Sequence, residues 1–218
     1  MPPQTANSKL IVHRNPSSSL SEAYRALRMN IQFASGEDPV KTIMVTSPGN
    51  GDGKSTTIAN LAVAYAQEGK KTLLIDGDIR DPSLHHLFSL SNVSGLTNAL
   101  LNEKGWKSVI QATQIPRLSV MTSGITPLHP SDLLASEYLP DLISDIKQHF
   151  DIVLFDSPPL LTVTDGLKIC SLCDGVFIVA SQGKTKKALL KKVRQSLEHA
   201  NARVLGVVLN KTKYSKIL

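Results

Sequence analysis

No apolar run in this 218-residue sequence approaches the roughly 18 residues that carry a helix across a bilayer. The opening residues also lack the apolar stretch of a secretory leader, so the expectation is a cytoplasmic protein that reaches a membrane only through a partner. Cysteine is nearly missing. The two present, Cys170 and Cys173, exclude a disulfide framework and fit a reducing compartment. Their CxxC spacing lies in an apolar helical stretch with no second pair, so they read as small core residues rather than metal ligands. The net charge is +6, but no aromatic residue interrupts the lysines of 184–194. A stacking surface for nucleic acid is therefore unsupported, and that cluster reads as a solvated helix face.

What is present is an ordinary globular composition, 41% apolar and 19% charged, sufficient for one α/β domain. Residues 1–17 contain three prolines and no periodicity, and read as a flexible arm. Serine caps then open a helix carrying Leu20, Tyr24, Leu27 and Ile31 on one face. Apolar strand patterns recur at 42–47, 72–77, 118–122, 151–156, 175–180 and 203–209, with helical patterns at 53–68, 130–149, 164–173 and 184–200. Continuous Val/Ile/Leu strands alternating with helices predict a mostly parallel sheet covered on both faces. The domain is expected over 18–210, with 211–218 a short tail.

The stretch "SPGNGDGKSTT" at 47–57 joins the first strand to the next helix. Gly49, Gly51 and Gly53, with Asn50 and Asp52 between them, leave backbone N–H groups free to converge on phosphate oxygens at a helix N-terminus. Lys54 reaches the β- and γ-phosphates in this pattern, Ser55 ligates magnesium and Thr56 follows in the same turn. The strict pattern places its first glycine at position 48, which is Pro48 here. This is the P-loop NTPase arrangement. Two further strands end in acids: "LLIDGDIR" supplies Asp76 and Asp78, and "VLFDSPP" supplies Asp156. In an open parallel sheet, ligands bind at these carboxyl ends. One carboxylate serves a metal and the pair adds a base, Asp76 being preferred for that role over Asp78. His85 and His86 read as helix-surface residues.

"SPGNGDGKST", "LLIDGDIR" and "VLFDSPP" together resemble the bacterial tyrosine kinases of capsule and exopolysaccharide systems, whose three Walker motifs match Lys54/Ser55, Asp76/Asp78/Arg80 and Asp156. That family also carries E-x-x-R-x-x-R on an N-terminal helix between subunits of a ring, and Glu22, Arg25 and Arg28 stand at that spacing. The resemblance implies an ATP- and Mg²⁺-dependent protein-tyrosine kinase acting on protein tyrosines. It implies a homo-oligomer, activation at the membrane by a separate transmembrane adaptor, and an adenine contact at Asn210. The phosphoacceptor in such a tail is Tyr214, only four residues beyond Asn210 and so within roughly 14 Å of it. Partition and division-site ATPases share the architecture but place a lysine five positions before the Walker lysine. Gly49 stands there in this chain. An ATPase switch of that type, or a nucleotide-binding scaffold without turnover, is the alternative.

Overall fold

The computed structural model describes residues 9–36, 38–101, 105–163 and 165–212 of the chain. Tyr214 lies outside them. Among the described residues seven strands form one sheet: β1 (Thr42–Thr46), β2 (Thr72–Asp76), β3 (Ile110–Ala112), β4 (Leu118–Met121), β5 (Ile152–Asp156), β6 (Gly175–Ser181) and β7 (Val204–Asn210). Their order is β3-β4-β2-β5-β1-β6-β7, and only β3 runs antiparallel to its neighbour. Every residue of β1, β2, β5 and β6 is buried, as a parallel sheet covered on both faces requires.

The helices divide between those faces. On one lie α1 (Ile11–Arg14), α2 (Ser19–Ala34), α3 (Lys54–Gln67) and α4 (Leu84–Phe88). The other face carries α5 (Leu96–Leu100), α6 (Pro130–Leu134), α7 (Tyr138–His149), α8 (Asp165–Cys170) and α9 (Lys187–His199). Helix α3 is buried nearly all round, because the sheet covers one side and α1 and α2 the other. Its alanines, Ala59, Ala62, Ala64 and Ala66, allow that close approach, while fully buried Ile58, Leu61 and Val63 each contribute about 1.5–3 kcal/mol. Ser18 caps α2, its hydroxyl accepting from the Ser21 N–H at 3.2 Å.

Three departures from the sequence reading have physical causes. The arm is not loose from Lys9 onward: Leu10 and Val12 are buried, the Val12 N–H donates to Asn60 Oδ1 at 3.1 Å, and Asn60 Nδ2 donates to the Lys9 carbonyl at 2.9 Å. An apolar trio, Leu10 to Val12, docks on α3 despite its proline-rich surroundings. The pattern at 130–149 divides into α6 and α7, since Pro140 has no N–H to donate and sits only in a first turn. Strand β3 carries only three residues, half-buried or exposed, too short for an alternating pattern to register.

Candidate active site

Three neighbouring strands, β2, β5 and β1, each end in one part of the site. Register sets Asp76 directly beside Asp156, and the loop after β1 begins one strand away. Both carboxylates are fully buried. Asp76 is fully committed to backbone donors. Its Oδ2 accepts from the N–H groups of Ser83 at 3.0 Å and Leu84 at 2.9 Å, and its Oδ1 from the Asp78 N–H at 3.3 Å. Burial, then the charge of Asp156, hold the Asp76 carboxyl well above the usual carboxylate range. Asp156 accepts at Oδ1 from the Ser157 N–H at 3.1 Å, while its Oδ2 is buried with no hydrogen-bond partner among the described residues. Burial pushes Asp156 up to about 6, against the pull of the nearby Ser55 hydroxyl and Lys54 ammonium. Asp78 is raised as well, again chiefly by burial.

The loop itself is gripped from outside. Three successive carbonyls each accept a side-chain donor from the far end of the chain: Asn50 from Lys184 Nζ at 3.2 Å, Gly51 from Lys211 Nζ at 2.7 Å, and Asp52 from Asn210 Nδ2 at 2.9 Å. Across a trans peptide the N–H points opposite to the preceding carbonyl, so fixing these carbonyls turns the N–H groups of Gly51, Asp52 and Gly53 the other way. Asp52 Oδ1 accepts from Thr185 Oγ1 at 2.8 Å, and Asp52 Oδ2 from the Gly49 N–H at 3.4 Å. Gly53, at φ 98°, is the left-handed N-cap of α3, and a Cβ there would stand 2.1 Å from Asn210 Nδ2. Glycine is the residue that satisfies both demands.

A cleft of about 310 Å³ opens along this loop, lined by Asn50, Gly51, Gly53, Lys54, Ser55 and Thr56, and opposite them by Asp78, Asp81 and His86. Of the three acids, Asp78 faces the cleft and Asp76 lies behind it. Asp81, Lys9 and His86 at this cleft carry no sequence signal of their own; they arrive through the turn after β2, the docked N-terminal segment and α4. His86 is an exposed residue of α4, as expected of a helix-surface residue, and also lines the cleft. Lys184 and Lys211, though exposed, each donate to a carbonyl of the loop. Beside the cleft, Arg80 Nε donates to Asp165 Oδ2 at 2.7 Å and Arg80 Nη2 to Ser131 Oγ at 2.8 Å.

Glu22, Arg25 and Arg28 are not part of this cleft. Glu22 pairs with Arg25 on α2, and Arg28 pairs with Glu68 just past the C-terminal end of α3, about 20 Å from Lys54 along that helix. Asn210, implied as an adenine contact, uses its amide donor on the loop.

A family described as an AAA domain matches residues 40–205. Tyrosine-protein kinase YwqD of Bacillus subtilis (strain 168) is 42% identical over 207 residues, 95% of this chain and 87% of the relative. The chain belongs to the bacterial tyrosine kinase family. Within that family, the putative tyrosine-protein kinase CapB of Staphylococcus aureus is 40% identical across 96% of this chain and 92% of its own length. The crystal structure of the chimerical protein CapA2B2 superposes with a TM-score of 0.91 at 42% identity, covering 95% of this chain and 91% of that one. The family's P-loop fold is the one observed here, and no helix among the described residues is long and apolar enough to cross a membrane.

Proposed function

We propose that this chain, over 18–210, is an ATP-dependent protein-tyrosine kinase of a capsule or exopolysaccharide system, recruited to the membrane and activated by a transmembrane adaptor. The observation that carries the reading is the cleft: loop N–H groups and Lys54 face Asp78 across a space with Asp76 and Asp156 directly behind it. The loop, with Lys54 and the N-terminus of α3, binds and orients the triphosphate, and Lys54 offsets charge on the γ-phosphoryl.

The residues present fit magnesium. Among the described residues Asp156 Oδ2 is buried and unpartnered, Ser55 lies nearby, and Asp78 lines the cleft. Among the described residues no group of three or more His, Cys, Asp or Glu is placed to hold a metal alone. Ser55, Asp78 and Asp156 would hold the ion together with phosphate oxygens and water, as magnesium prefers. When bound, it supplies positive charge that neutralises the transferring phosphoryl group.

The proton of the tyrosine hydroxyl passes to Asp78, since Asp76, spent on three backbone N–H groups, positions the turn that carries Asp78. Wild-type chain with Mg-ATP and the cytoplasmic segment of a transmembrane adaptor is expected to label a Glu-Tyr copolymer on tyrosine, and Asp78→Asn to lose about 10²-fold or more of that rate. Steady phosphate release with no phosphotyrosine would instead favour the ATPase switch.

Assembly is proposed through Glu22, Arg25 and Arg28. The Glu22–Arg25 pair is exposed enough to exchange partners with a second copy, whereas Arg28 is 13% exposed and holds α2 to α3. Arg25→Ala is expected to shift the protein to a smaller species in size-exclusion chromatography with light scattering, with unchanged thermal stability. An unaltered elution mass would remove α2 from the interface.

A further inference from the structure

We infer that Tyr138 is a phosphoacceptor of this kinase, modified by a second copy of the chain. The inference rests on the kinase reading and names a substrate of the same site. A tyrosine is a substrate only where its hydroxyl can enter another molecule's cleft. Tyr65 is 2% exposed beneath α2, and burial pushes its hydroxyl up to about 12. Tyr24 packs against the same core, and its hydroxyl is raised for the same reason. Tyr138 is 60% exposed. Among the described tyrosines it alone is exposed, Tyr24 being half-buried.

Its place in the fold favours the reaction. Helix α7 leads into β5, so its N-terminus lies at the carboxyl end of the sheet, the end that carries the cleft. Leu139, Ile143 and Ile146 are buried and pin α7 to the sheet. Tyr138 is thereby held exposed on a packed helix and does not line the cleft of its own chain. The segment around it carries Glu137 and Asp141, and the cleft it must approach on a second copy is lined by both signs of charge, Lys9 and Lys54 with Asp78 and Asp81. The product phosphate would sit at the positive end of a twelve-residue helix.

In the transfer, the phenolic oxygen of Tyr138 bonds to the γ-phosphorus of ATP held by the other copy. The bond from that phosphorus to the β–γ bridging oxygen breaks, and ADP leaves. The phenolic proton passes to Asp78 of the catalysing copy and then to water.

The test mixes wild-type enzyme and Mg-ATP with isotopically heavy Lys54→Met chain as acceptor, under the activating conditions above, and includes the Glu-Tyr copolymer in parallel. Trypsin cuts after Arg117 and Lys147 with no Lys or Arg between, so one peptide reports Tyr138 and no other tyrosine. The heavy peptide is expected to carry phosphotyrosine at Tyr138. Tyr138→Phe in the acceptor should abolish that signal, and Tyr138→Phe in the enzyme should leave copolymer labelling unchanged. A labelled copolymer with a bare heavy peptide overturns the inference and leaves the kinase reading standing. Phosphate confined to the light chain also overturns it. A bare copolymer overturns the kinase reading, and the inference falls with it.

Discussion

Lys54→Met is expected to lower tyrosine phosphorylation by about 10²–10³-fold while the protein keeps its fold. Lys54 is the first residue of α3 and only 7% exposed, so its ammonium is aimed along the cleft rather than into bulk water. Methionine fills nearly the same volume and keeps the apolar stem, so packing against the loop changes little. What is lost is charge. Lys54 is the cation that pulls both Asp78 and Asp156 back toward ionisation, so removing it pushes both carboxyls further above their ordinary range. The variant therefore fails twice, in offsetting the γ-phosphoryl charge and in keeping Asp78 able to accept a proton. Phosphotyrosine yield, read beside circular dichroism and a melting curve, separates this from unfolding. Wild-type yield from a folded Lys54→Met protein would overturn the assignment of the cleft.

Asp156→Asn should lose activity on a similar scale and gain stability in the absence of nucleotide. The sign follows from protonation. Unfolded, Asp156 ionises near 3.8; folded, it holds its proton up to about 6. Below 3.8 it is protonated in both states and contributes nothing to the pH dependence. Between those values the folded protein keeps a proton that the unfolded chain has released, so stability falls as pH rises. Above about 6 the whole penalty is present, on the order of 3 kcal/mol. Asparagine removes that charge and relieves Asp76 alongside it, and the amide nitrogen replacing Oδ2 finds the Ser55 hydroxyl nearby. Thermal unfolding across pH is the check. The variant should melt higher than wild type at neutral pH, the gap closing as pH falls toward 4. A variant less stable than wild type at neutral pH would show that Asp156 is not held against its charge.

The parts of the site that could be read from sequence are those whose chemistry is local. The glycines of 49–53, Lys54 and Ser55 form one turn between a strand and a helix, and Asp76 and Asp156 mark the ends of apolar strands. The sheet was legible for the same reason, because strands buried on both faces need uninterrupted apolar runs. What escaped depends on contacts between distant residues. Nothing near Lys184, Asn210 or Lys211 indicates that they hold three consecutive carbonyls at 50–52, because the chain returns to that loop only through the order of the sheet. Alternation along a strand sets Asp76 and Asp78 on the same side and does not by itself separate their roles. The proposal that Asp78 takes the proton draws instead on the backbone N–H groups that surround Asp76, which belong to a turn that sequence alone does not place.

That grip on the loop also sets a timetable. Phosphate loop, carboxylates and α3 are all synthesised before residue 157, yet the donors that aim the loop's N–H groups come from 184–211, and two of them flank the end of an outermost strand. On the ribosome the site is thus begun early and finished last. Until β7 has emerged and joined β6, a nascent chain lacks the Asn210 and Lys211 donors that hold the loop's carbonyls.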